Sequence, residues 1–140
     1  MAFVLDASVA LRWLMKDGTA SDLAYANFVL DQFLNPDIEV HVPSHWPLEI
    51  TNVMLRSERL SLIDKTASDK FLDMISIAPF TIDLETAGQA LDTTLDLARQ
   101  FRLTPYDAAY LELAQRLECP LATLDKDLRR AAERAGVEVV

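Results

Sequence analysis

Among its 140 residues the chain has one cysteine, three glycines and two histidines. The lone Cys119 excludes an intramolecular disulfide framework. Its neighbours Leu117 and Leu121 mark it as a core thiol, as expected of a protein in the reducing cytoplasm. No Cys/His cluster has zinc spacing, and His41 and His45, on either side of Pro43, read as satisfied or exposed polar residues. Three glycines build no phosphate-cradling loop, and with six prolines they leave little room for disordered linkers. No apolar run approaches the roughly 18 residues of a membrane helix, and the first residues lack the basic segment and cleavage pattern of a signal peptide. Positive charge is also scarce: 13 Lys and Arg stand against 22 Asp and Glu, a net charge of −9. A protein that holds nucleic acid by bulk electrostatics is basic. Either the partner is not nucleic acid, or a metal neutralises some acids, or a local basic patch does the holding.

The chain does have a globular composition, 51% hydrophobic and 25% charged, and a length suited to a single domain over residues 1–140. Apolar periodicity predicts alternating elements. Strands are expected at 2–5, 38–42, 80–82, 121–124 and 137–140. Helices are expected at 7–15, 21–34 (opened by Ser21), from Ser44 as N-cap to Arg59, at 64–77, from Leu84 to Phe101, at 105–117 and at 126–135. Such alternation predicts an α/β fold with a mainly parallel sheet between helical layers. Ligands of such sheets bind beyond the carboxyl ends of the strands.

That rule places the acids. Asp6 directly follows the strand "AFVL", and Asp125 follows "LATL". Glu49 lies in the first turns of the helix leaving "IEVHV". Asp107 lies in the first turn of the helix returning to "LATL", so it starts at the same edge. Asp83 and Asp127 fall there too. In "TPYDAAYLELAQRL" the residues Asp107, Tyr110, Leu111, Ala114 and Leu117 share one apolar stripe, with Glu112, Gln115 and Arg116 on other faces. Carboxylates crowded at a partly dry rim repel one another and take up protons. A divalent cation relieves the conflict, and carboxylate plus water ligands suit Mg²⁺ or Mn²⁺. The chemistry implied is phosphodiester hydrolysis.

Each acid also has an ordinary place. Asp6 stands where it can cap the first helix, and Asp125 where it can cap the last. Asp107 completes a capping-box-like "TPYD", and Glu49 can pair with Asn52 or Arg56. Ser8 has no partnered histidine for nucleophilic catalysis. With Thr123 it is instead placed to support the carboxylates. Arg12, Lys16, Arg56, Lys126, Arg129 and Arg130 lie on helices near or below the rim, either tracking a phosphate backbone or simply solvated.

The motifs "VLDASVAL", "VPSHWPLEITNVM" at 42–54, "LTPYDAAYLELA" at 103–114 and "LATLDKDL" at 121–128 resemble those of PIN-domain ribonucleases, specifically VapC-type toxins. The resemblance spans essentially the whole chain, in order. It implies a PIN-like three-layer α/β/α sandwich with a five-stranded sheet of order 3-2-1-4-5. It implies Mg²⁺- or Mn²⁺-dependent endoribonuclease activity, a cognate VapB-like antitoxin and a homodimer. By motif, Asp6, Glu49, Asp107 and Asp125 match the family's metal-binding acids, with Asp127 a rival for the last position. Ser8, Asn52 and Thr123 match its supporting polar positions; Arg12, Arg56 and Lys126 are candidate RNA contacts. Metal compensation of four acids would move the formal charge from −9 to about −5 (−9 + 4), still acidic, so any RNA contact is local.

Two other readings stand beside this one. A phospho-acceptor receiver module has a similar size and sheet, with Asp83 its only fitting piece here. A PIN domain that binds RNA without cutting it is the other.

Overall fold

The computed structural model describes residues 1–140. Its sheet has four strands, β1 (Ala2–Leu5), β2 (Glu39–Val42), β3 (Thr81–Ile82) and β4 (Leu121–Ala122), all parallel in the order β3-β2-β1-β4. Eight helices connect them: α1 (Ala7–Met15), α2 (Ala20–Phe33), α3 (Trp46–Arg59), α4 (Lys65–Ile77), α5 (Thr86–Gln89), α6 (Thr93–Phe101), α7 (Pro105–Leu117) and α8 (Lys126–Arg134). None is long and apolar enough to cross a membrane.

Strand order explains the layers. From β1 to β3 the chain moves across the sheet in one direction, then it jumps back past β1 to β4. Right-handed crossovers in opposite directions put their helices on opposite faces. Accordingly α1 packs against α2, α3 and α4, whereas α7 packs against α5, α6 and α8. With both faces covered, β1 buries consecutive residues: Phe3, Val4 and Leu5 are 3%, 0% and 0% exposed. Each such side chain stabilises the fold by about 1.5–3 kcal/mol. The reversal falls between β1 and β4, so the crevice of the sheet lies at their carboxyl ends.

Several expected elements are shorter. The fifth strand at 137–140 contracts to one parallel bridge, Val139 to Leu121. It has little to pair with, because β4 ends at Ala122. Beyond that point the backbone leaves the ladder: the Leu124 N–H donates to Ser8 Oγ (3.0 Å) and the Asp125 N–H to Thr123 Oγ1 (3.0 Å). The expected helix from Leu84 to Phe101 divides into α5 and α6 at Asp92, whose φ of −125° and ψ of −107° are not helical. Leu84 and Leu91 are exposed, so no continuous apolar stripe holds that segment on the core. Helix α2 starts after Thr19 rather than Ser21. Thr19 and Asp22 form a reciprocal capping box, each bond 3.1 Å. Ser44 does not cap α3; His45 holds that position, and the Ser44 N–H donates to Thr86 Oγ1 (3.1 Å).

Candidate active site

Asp6 occupies the N-cap position of α1, yet its side chain makes no capping bond. It accepts from Ser8 Oγ (2.6 Å) and Thr123 Oγ1 (2.7 Å) instead. Each hydroxyl has one proton, spent on Asp6, and one lone pair receives the Leu124 or Asp125 N–H. The two hydroxyls thus fasten the turn after β4 onto the carboxylate after β1. Asp6 is only 4% exposed. Burial raises its pKa to about 6 against the pull of these hydrogen bonds, and the charges of Asp107 and Glu49 raise it further.

Glu49, in the first turn of α3, is held from α7. The Tyr110 hydroxyl donates to Glu49 Oε1 (2.6 Å) and lies 3.4 Å from the Ala7 N–H, which donates to it. Tyr110 is fully buried, and desolvation, reinforced by Asp6 and Glu49, holds its phenol well above its ordinary pKa. It therefore stays a proton donor. His45 Nε2 bonds the Tyr106 carbonyl (3.1 Å) and sits 3.2 Å from Glu49 Oε1. Two oxygen acceptors around one nitrogen fix the proton on Nε2. The ring packs edge-on against Tyr110, with centroids 5.3 Å apart.

Asp107 follows the N-cap of α7, where Thr104 Oγ1 accepts its backbone N–H (3.2 Å). Burial raises its carboxyl to about 6, followed by the charges of Asp125 and Glu49. Asp125 caps α8, with Oδ1 accepting the Leu128 N–H (2.8 Å). The capping reading of Asp125 is thus correct, and its charge still reaches Asp107. Asp127 is exposed and turns to Arg130, 3.9 Å away. Asp83, at the end of β3, is bound by Arg116 and Thr86.

No three His, Cys, Asp or Glu side chains close directly on a single ion. The donor set nonetheless fits a hydrated hard cation. Asp6 spends Oδ2 on both hydroxyls, Glu49 spends Oε1 on Tyr110 and His45, and Asp125 spends Oδ1 on its helix. Each keeps its other oxygen without a protein donor, and Mg²⁺ retains several waters.

The other sequence candidates fare differently. Ser8 and Thr123 touch Asp6, whereas Asn52 is exposed on α3 and makes no hydrogen bond to the carboxylates. Arg12 is paired with Asp17. Arg56 and Lys126 are exposed on α3 and at the start of α8. Tyr110 and His45 are the site residues that sequence reasoning missed. Tyr110 had a signal, a polar tip on a buried stripe, which calls for a partner; nothing in the sequence pointed to Glu49, 61 residues away.

Tyr110→Phe removes the hydroxyl while keeping the ring. Divalent-cation affinity is expected to fall about 10–100-fold, as when an outer partner of a ligand is lost. Calorimetric titration of Mn²⁺, beside a circular dichroism spectrum matching wild type, checks this. Unchanged affinity would free Glu49 of any need for Tyr110.

Comparisons with known proteins give the family and the fold. The family model for the PIN domain matches residues 3–134. No curated protein gives a significant match. The crystal structure of PAE2754 from Pyrobaculum aerophilum is similar in fold, with a TM-score of 0.65 and 21% identity, over 94% of this chain and 87% of that one.

Proposed function

From the premise that the chain belongs to the PIN domain family, generally a metal-dependent nuclease fold, we propose that it is a Mg²⁺- or Mn²⁺-dependent endoribonuclease. We further propose that it acts as the toxin of a toxin–antitoxin pair, as a homodimer restrained by a VapB-like antitoxin. The toxin role, the dimer and the antitoxin rest on the motif resemblance. One observation carries the nuclease: carboxylates from four separate elements gather at the sheet's switch point, two of them held near pKa 6 by burial and mutual repulsion.

Asp6, Glu49, Asp107 and Asp125 would hold the cation. When bound, the ion supplies charge stabilisation at the scissile phosphate and activation of a water. The protein's part is positioning. Ser8 and Thr123 fix the orientation of Asp6, and Tyr110 and His45 that of Glu49. Ser8 donates to Asp6 and accepts the Leu124 N–H, which fits a positioning role. The step proposed is hydrolysis in line by water, with no covalent enzyme intermediate. The receiver reading loses its one fitting piece, because Asp83 is tied bidentately to Arg116 (2.7 and 3.1 Å).

The test is cleavage of a total RNA pool by antitoxin-free protein, with Mg²⁺ or Mn²⁺ and with EDTA. Discrete fragments that vanish in EDTA are expected. Bound cation without cleavage would favour the RNA-binding module; neither cation binding nor cleavage would remove the site.

Cation binding should also depend on pH. Asp6 and Asp107 titrate near 6 and must lose their protons to bind an ion. Between pH 6 and pH 5, Mn²⁺ affinity should fall about fivefold for each proton displaced, and it should change little above pH 7. Calorimetry in two buffers of different ionisation heat reads both affinity and protons released. A flat profile would show that these carboxylates are not the ligands.

A further inference from the structure

We propose that the cleft between the end of α6 and α8 seats the backbone of single-stranded RNA beside the carboxylate rim. The identity of this ligand rests on the ribonuclease reading above. The cleft encloses about 290 Å³ and is lined by Phe101, Arg102, Asp127, Arg130, Ala131 and Arg134.

Charge distribution singles it out. In a chain of net charge −9, an RNA site must be local. Six of the 13 basic residues, Arg99, Arg102, Lys126, Arg129, Arg130 and Arg134, belong to the end of α6 and to α8. Three guanidinium groups face one carboxylate in the cleft itself. Arg102 has no acidic partner, and Arg134 lies over the Phe101 ring, 5.7 Å from its centroid. Arg130 meets Asp127 only at 3.9 Å, with both side chains more than 70% exposed, a contact of little strength. Elsewhere Arg12, Lys65 and Arg116 are bound to acids. Arg129 turns inward to the Thr123 carbonyl (3.1 Å).

Position gives the cleft its use. Arg102 closes α6 in a left-handed conformation (φ 54°) two residues before Thr104, the cap of the helix that carries Asp107. Asp127 stands two residues beyond Asp125. The cleft is thus lined by residues two positions along the chain from Asp125 and five from Asp107. Arg130 and Arg134 are one helical turn apart, about 5–6 Å, on one face. Planar guanidinium groups match phosphate oxygens. Only two apolar residues line the cleft, so it offers no deep anchor pocket of the kind a protein partner fills.

The test compares Arg102→Gln/Arg130→Gln with Arg59→Gln/Lys70→Gln on α3 and α4. Both pairs move the net charge from −9 to −11 (−9 − 2). A fluorescein-labelled RNA strand of about 15 nucleotides in EDTA, read by anisotropy across a salt series, reports binding without cleavage. The cleft variant is expected to bind about 20-fold more weakly at 0.1 M salt, with a salt slope shallower by about 1.4, or 0.7 for each of two phosphates. The control pair should keep the wild-type slope, and both should match wild type in circular dichroism. Equal weakening by both pairs, or none by the cleft pair, overturns the proposal. So does a cleft that binds poly-glutamate as tightly as RNA, which would make it a protein site. RNA cleavage that persists with unaltered binding in the cleft variant defeats this inference alone. Cleft-dependent binding by a protein that never cleaves defeats only the nuclease reading.

Discussion

Asp6→Asn is expected to lower metal-dependent RNA cleavage by about 1,000-fold or more while making the metal-free protein more stable at neutral pH. The loss corresponds to about 4 kcal/mol of transition-state stabilisation, the scale on which a bound cation acts. The gain follows from burial. The folded carboxyl titrates near 6 instead of 3.8, so its ionised form is disfavoured by about 3 kcal/mol, at about 1.36 kcal/mol per pKa unit. The folded state takes up its proton first, so this destabilisation is fully present above pH 6, fades as the pH falls from 6 to 3.8 and is gone below 3.8. Asparagine has no charge to bury. With its carbonyl oxygen at the Oδ2 position the amide keeps both hydroxyl bonds, but its NH₂ stands where no protein acceptor is present, which reduces the gain to about 1–3 kcal/mol. Urea unfolding in EDTA at pH 7.5 and at pH 4 measures it: a difference from wild type at the first, none at the second. A variant that still cleaves, or one that is destabilised at pH 7.5, would remove Asp6 from the centre of the site.

Arg116→Met is expected to destabilise the protein by about 3–5 kcal/mol, the usual result of stranding a buried charge. Arg116 bonds both oxygens of Glu112 (2.7 and 3.1 Å), both of Asp83 (3.1 and 2.7 Å) and Glu85 (2.9 Å). The Glu112 side chain is 4% exposed and the Asp83 side chain 11%. Without the guanidinium, the buried Glu112 carboxylate and the partly buried Asp83 carboxylate both lose their ion-pair partner. The damage should reach the site, because Asp83 Oδ2 accepts from Thr86 (2.7 Å) and Thr86 in turn holds Ser44, next to His45. Melting temperature should drop by about 10 °C or more. Arg116→Met combined with Glu112→Gln should recover part of the loss. A drop within 1 °C would mean the network carries no net stability.

These two residues show how unevenly sequence reveals structure. Arg116 and Glu112 sat off the apolar stripe of α7, on its other faces. Glu112 is 3% exposed, because α5 packs on α7 and Arg116 ties Asp83 and Glu85 over that side of the helix. A helical pattern shows which face is apolar; it does not show what later arrives over the polar one. The short elements tell the same story. Thr123 and Leu124 have the composition of a strand, but the Leu124 N–H goes to the Ser8 hydroxyl, 116 positions away, and the next N–H, of Asp125, goes to Thr123 Oγ1. The length of β4 was decided by a site, not by propensity.

The sequence by itself determined the alternation of strands and helices and the placement of Asp6, Glu49, Asp107 and Asp125 on one edge. Those follow from local periodicity and from the rule that a parallel sheet sends all its strands toward the same edge. Tertiary structure alone decided which oxygens of those acids are free. The Thr123 hydroxyl on Asp6 and the Tyr110 hydroxyl on Glu49 come together only when β1, β4, α3 and α7 pack, across separations of 117 and 61 residues. The raised pKa values have the same origin, since desolvation depends on what surrounds a carboxyl and not on its neighbours in the chain.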